Sequence, residues 1–231
     1  MGSAERPEDA AHEDLTARAR IRDAALIQFA ERGVKGATIR GIAEAAGVSP
    51  GLVQHHFGSK EALREACDAY SMEVIRSTSE TATSDMGDPG FLSVMMQTTL
   101  PIRRYVARAM VDGSPAAAAL FDEMVDYTRQ YMEHPAAGLG TPHTSDPHAY
   151  ATALVAISLG PLVLHEHLSR ALDGDVLSME GYPRLGLAMV EVFADDIISP
   201  DLVEQARKAF GELLADSSTS RAPAPAENDG D

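Results

Sequence analysis

The sequence predicts an all-α fold. An N-terminal three-helix, helix-turn-helix domain is followed by a C-terminal helical bundle. Three observations lead there. Residues 38–63, TIRGIAEAAGVSPGLVQHHFGSKEAL, read as a helix, a tight turn, a short second helix and the start of a third. After Tyr70 no period-two alternation runs for more than a few residues, which argues against strands. In its place a helix-start pair recurs, at Asp88-Pro89, Ser114-Pro115, Asp146-Pro147 and Ser199-Pro200.

The first helix of the motif carries Ile39, Ile42, Ala43 and Ala46 at i, i+3, i+4 and i+7, one face of a helix. Thr38 precedes that face, where its hydroxyl can cap free backbone N–H groups. Gly47 follows where a helix stops and φ turns positive, and Val48 fills the elbow. Ser49 is a second cap, with Pro50 at the helical position that needs no N–H. The second helix is short, with Leu52, Val53 and Phe57 apolar. Gly58 ends it, and Ser59 caps a third helix whose inner face is Leu63, Ala66, Cys67 and Tyr70. Any helical domain can hold two amphipathic helices; the short turn, the double capping and the small elbow residues favour a DNA reader.

A recognition helix needs polar groups near its N-terminus and along its outer face. Gln54, His55 and His56 supply them, and Gly51 lets the backbone come close. Gln can pair two hydrogen bonds with adenine, and His can donate to a base edge or a phosphate. Arg40 on the preceding helix is within range of guanine or a phosphate, while Thr38, Ser49 and Lys60 suit phosphates beside two helix N-termini.

The run from Arg20 to Tyr70 resembles the N-terminal domain of the tetracycline-repressor (TetR) family of bacterial transcription regulators. The matching pieces are A-A-x-x-x-F-A-E-x-G (Ala24 to Gly33), the Thr38 opening, I-A-E-A-A-G-V-S (Ile42 to Ser49) and H-F-x-S-K-E-A-L (His56 to Leu63). They cover about a fifth of the chain. Where the family often carries aromatic residues, this chain has Gln54 and His56. The resemblance implies that Arg40, Pro50, Gly51, Gln54 and His55 read bases or line the groove, and that Thr38, His56 and Lys60 contact phosphates. It also implies a homodimer on a palindromic double-stranded DNA operator, and a small-molecule effector.

Charge is divided to match. The 231-residue chain carries a net −16, yet residues 16–64 hold eight basic side chains against four acidic ones, leaving −20 on the rest. The acidic remainder repels DNA, so contact is expected in the N-terminal domain alone.

Helices are expected near 89–100, 102–111, 115–133, 147–172, 183–197 and 200–214, with a connecting helix at about 59–80 and a polar break from Thr81 to Gly87. Helix 147–172 is apolar nearly all round and so must be buried nearly all round. A second subunit is the economical cover. Leu159, Leu162 and Val163, with Leu185, Met189, Val192 and Phe193 on the next helix, are the expected interface, two helices from each chain. A monomeric bundle with a central helix is the competing arrangement.

The intervening helices are rich in soft apolar side chains. Phe91, Met95, Met96, Met110, Phe121 and Tyr127 are ordinary core residues or the lining of an effector cavity, with Arg103, Arg104, Tyr127 and His165 as polar anchors. Effector binding rests on the resemblance and on this composition. Competing readings are a DNA-binding activator or architectural protein with no effector, and a carrier of small apolar molecules.

No catalytic constellation is expected. His165-Glu166-His167 lacks H-E-x-x-H spacing, and there is no Gly-rich phosphate loop and no G-x-S-x-G elbow. His134, His143 and His148 with Asp146 match no metal-ligand spacing, so no metal and no cofactor are expected. The one cysteine, Cys67, is read as a core residue and fits a cytoplasmic location. No membrane partner is expected, because the apolar run Ala153 to Leu164 is too short to span. The expected organisation is a disordered segment 1–14, a DNA-binding domain 15–70, a ligand and dimer domain 71–215, and a disordered tail 216–231.

Overall fold

A computed structural model describes residues 7–85, 88–135, 140–195 and 197–220. The described residues form ten helices and no strand: α1 (Pro7–Gly36), α2 (Ile39–Ala46), α3 (Pro50–Phe57), α4 (Lys60–Asp85), α5 (Pro89–Asp112), α6 (Pro115–Glu133), α7 (Pro147–Val163), α8 (His165–Ala171), α9 (Tyr182–Ala194) and α10 (Pro200–Ser220). The all-α expectation holds.

Local chemistry sets the ends of the motif helices as the sequence indicates. Thr38 Oγ1 accepts from the Gly41 N–H at 3.0 Å, and Ser49 Oγ accepts from the Leu52 N–H at 3.1 Å. Gly47 takes the left-handed conformation (φ 67°, ψ 37°), which costs other residues about 1–2 kcal/mol. Its N–H thereby closes α2 on Ala43 and Glu44. Ser114 and Asp146 likewise cap α6 and α7 through the N–H groups of Ala117 and Ala149. These bonds satisfy backbone donors that every helix start leaves open.

One apolar core runs from the N-terminal helices into the next three. It joins Ile21, Ala25 and Phe29 of α1, Ile42 of α2, Val53 of α3 and Leu63 of α4 to Tyr105 and Val106 of α5, Leu120 and Met124 of α6, and Val155 of α7. Phe29 and Tyr105 meet with ring centroids 6.2 Å apart. α1 and α4 therefore rest directly on α5. Contacts divide the chain after Pro183, and α4 passes position 70 without interruption.

Several element boundaries differ from expectation. α5 continues through Pro101, where a break was expected. Proline inside a helix costs about 3 kcal/mol, but Ile102, Tyr105, Val106 and Ala107 are buried just beyond it, and their burial outweighs that loss. The expected helix 147–172 is two, α7 and α8, with a 61° bend between them. Pro161 lies one turn before the bend and withholds a backbone N–H from the ladder. The expected polar break at Thr81 to Gly87 is helical as far as Asp85, since Thr and Ser are weak helix formers but not helix breakers. α1 begins at Pro7, inside the stretch expected to be disordered, and α10 reaches Ser220, past Asp216. The disorder expected at residues 1–6 and 221–231 lies outside the described residues.

Candidate DNA interface and core groove

Helix α3 buries the side chains of Val53 and His56 and keeps its outer face open. Ser49, Pro50, Gly51, Gln54 and His55 are exposed, as are Thr38 and Arg40 on the adjoining elements. The arrangement presents an amide, an imidazole and a guanidinium on one surface beside two helix N-termini. Thr38 and Ser49 spend an oxygen lone pair on their caps, so each hydroxyl retains its proton for a phosphate oxygen. Lys60 Nζ donates to the Ala37 carbonyl at 3.1 Å, which ties the start of α4 to the α1–α2 junction and leaves two N–H groups to donate.

His56 departs from the expected phosphate-facing pose. Its side chain is 4% exposed, with Nε2 3.5 Å from Asp14 Oδ1 and no hydrogen-bond partner. On so short a helix Val53 faces the core, and one turn brings residue 56 close to the same side. The basic residues also divide. Arg22 stacks 3.4 Å from the centre of the Tyr70 ring, and Arg64 binds Asp68 at 2.7 Å. Arg20, Arg32, Lys35 and Arg40 are exposed and have no acidic partner within 4.0 Å among the described residues.

A polar cluster links α4, which follows α3, to α5. Tyr105 Oη donates to Asp68 Oδ1 at 2.5 Å, and Arg64 Nη1 donates to Asp68 Oδ2 at 2.7 Å. Sequence reasoning missed this cluster because its partners lie 37 positions apart. Burial lifts the Asp68 carboxyl above its ordinary value of 3.8, and the Tyr105 bond and the Arg64 charge offset that only in part. A carboxyl that titrates higher in the folded state makes that state the better proton acceptor. The resulting stability is full below pH 3.8 and declines as pH rises through the folded value. Asp68→Asn is expected to remove that decline from thermal melts taken across acidic pH. An unchanged slope would assign the decline to other groups. Cys67, next along α4, is pushed up to about 12, chiefly by burial, as befits an inert core thiol.

Among the described residues, those expected to meet an effector lie at different depths of the core. Met96 is buried, Met110, Phe121 and Tyr127 pack against the core, and Phe91 and Met95 are half-buried. Arg103 lies against Met96 and the Tyr182 ring. A groove of about 680 Å³ does bring His165 together with Arg104. Its other walls are Ala30 and Glu31 of α1, Ala107, Arg108 and Val111 of α5, and Asp175 and Leu177 from the loop after α8. Arg104 pairs with Asp175 at 2.9 Å across 71 positions. That loop is drawn tight at Gly181, where a Cβ would meet the Asp175 carbonyl oxygen at 2.2 Å. A molecule in this groove would touch α1 and α5 together.

The expected dimer residues divide by exposure. Leu159 packs against the chain's own core and Leu185 is buried, while Val163, Val192 and Phe193 are exposed and Leu162 and Met189 are half-covered. Among the described residues no three His, Cys, Asp or Glu side chains gather as a metal site would. No single described helix is long and apolar enough to cross a membrane.

Comparison with known proteins bears on the same two regions. The pattern described as "Bacterial regulatory proteins, tetR family" matches residues 21–67, which hold α2 and α3. That of the "Tetracyclin repressor-like, C-terminal domain" matches residues 98–199. The HTH-type transcriptional regulatory protein RaaS of Mycobacterium tuberculosis is 36% identical over 191 residues, covering 82% of this chain and 84% of that protein. The HTH-type transcriptional repressor KstR2 of Rhodococcus jostii is 31% identical over 48% of this chain and 50% of its own. A crystal structure of a putative TetR-family transcriptional regulator from Rhodococcus sp. aligns with a TM-score of 0.47 at 20% identity, over 65% of this chain and 87% of that one.

Proposed function

This chain belongs to the tetR family of bacterial regulatory proteins and is a DNA-binding transcriptional regulator, and from that premise we propose that it is a homodimeric repressor released from a palindromic operator by a small, largely apolar effector. The observation that carries the reading is the exposed face of α3, where Gln54 and His55 stand clear of the buried side of the helix. Arg40, Pro50 and Gly51 complete the groove-reading surface, and Thr38, Ser49 and Lys60 hold phosphates. The name of KstR2 as a repressor favours that direction over activation. The reading places the protein in the cytoplasm, with its operator.

In the bound state two copies of α3 enter successive major grooves about 34–36 Å apart. The effector lodges among the core helices and favours a conformer in which that spacing is lost. Its effect is limited to its difference in affinity for the two conformers. The route runs through α5, which bears on α1 through the Phe29–Tyr105 contact and on α4 through the Tyr105–Asp68 bond.

Binding to a labelled operator duplex, with and without effector, tests the switch, and unchanged affinity would remove it. Gln54→Ala is expected to lose about 1–3 kcal/mol at one operator position and to relax specificity there. Lys60→Ala is expected to weaken binding to every sequence and to flatten the salt dependence by roughly one unit of slope. If both variants bind as wild type does, α3 is not the reading helix.

A further inference from the structure

Arg103 sits on α5 in a setting that its neighbours do not share. Arg64, Arg76, Arg104, Arg108 and Arg129 each have a carboxylate within 4.0 Å. Arg103 is half-buried and has none among the described residues. Its Nη1 lies 3.1 Å from Met96 Sδ, and its guanidinium carbon lies 4.2 Å over the Tyr182 ring. A thioether, an aromatic face and the neutral Tyr182 hydroxyl that hydrogen-bonds the guanidinium are weaker partners for a cation than a carboxylate. Burial pulls the guanidinium below its ordinary value, and Tyr182 opposes that shift. A desolvated cation with no carboxylate beside it among the described residues is expensive to keep, and a protein gains by replacing it unless something else supplies the anion.

One further observation bears on what supplies it. Leu92, Met96, Thr99 and Arg103 recur at i, i+4, i+7 and i+11 on α5, a mostly apolar stripe that ends in the guanidinium.

We infer that Arg103 is the anchor for an anionic head group, a carboxylate, sulfonate or phosphate carried on an apolar body, and that the effector of this regulator is an anion of that kind. The inference rests on the effector reading above and names its chemical class. Arg suits the task because its planar fork gives two parallel hydrogen bonds to such a head group. The Met96 and Tyr182 contacts are soft enough to yield to it.

The test uses the full-length chain without DNA, so its failure is separate from any failure of operator binding. Two fluorescent probes share one aromatic skeleton: anilinonaphthalene sulfonate, which is anionic, and phenylnaphthylamine, which is neutral. Wild type is expected to bind the anion about tenfold or more tightly than the neutral probe. Arg103→Met should abolish that preference while leaving the neutral probe unaffected, and Arg103→Lys should retain part of it. Arg103→Met should also melt no lower than wild type, since it replaces an unpaired charge with an apolar side chain of similar length. Equal binding of the two probes by wild type would overturn the inference. So would a preference that survives in Arg103→Met, or a variant that melts several degrees lower or does not fold, since either melting result makes Arg103 a structural residue.

Discussion

Phe193→Asp, combined with Val163→Asp, is expected to convert the proposed dimer to monomer and to cut operator affinity by about 10²–10⁴-fold. Both side chains are exposed on the single chain, 62% and 37%, so a charge there leaves the subunit's own core untouched. Buried between two subunits, the same carboxylates would be desolvated without partners. The affinity loss follows from losing the second half-site: two linked reading heads gain that factor over one by effective concentration alone. Sedimentation checks the assembly and operator titration checks the affinity. An intact dimer would move the interface elsewhere. Leu159→Asp is a poorer probe, because Leu159 packs on its own chain's core and its loss would confuse unfolding with dissociation.

Phe29→Ala is expected to destabilise the chain by about 3–5 kcal/mol, the usual range for deleting a fully buried aromatic side chain. Phe29 is 1% exposed and touches the Tyr105 ring, so the cavity would open where α1 meets α5. Against a total stability of about 5–15 kcal/mol this is a large fraction. Urea unfolding followed by helical circular dichroism reads it directly. The same variant should loosen α1 from α5, so operator affinity should fall even at temperatures where the variant remains folded. Native affinity in a folded Phe29→Ala protein would mean that the α1–α5 contact carries no information to α3.

How far the site was readable in the sequence varies with how local its causes are. The caps Thr38 and Ser49, the stop at Gly47 and the outward set Gln54, His55 and Arg40 all depend on residues within about one turn of each other. That range is what spacing and residue chemistry report. The surroundings of Lys60 and His56 escape such local reading for the opposite reason. The partner of Lys60 is the Ala37 carbonyl, 23 positions away, and that of His56 is Asp14, on a helix expected to be disordered at that point. The effector residues were drawn from composition, and composition cannot separate core from cavity wall. His165 and Arg104 share a groove, Arg103 stands apart from it, and Asp175 and Leu177 were not foreseen at all.

The amino-acid sequence by itself determined the helical class, the start of most helices and the outward face of α3, because caps, prolines and apolar periodicity act within a turn or two of the backbone. Tertiary structure alone decided whether Pro101 would end α5, which cations stay free, and how α1, α4 and α5 are joined through Phe29, Asp68 and Tyr105. Those outcomes turn on burial and on polar pairs brought together from distant parts of the chain. Their energies exist only once the helices have packed.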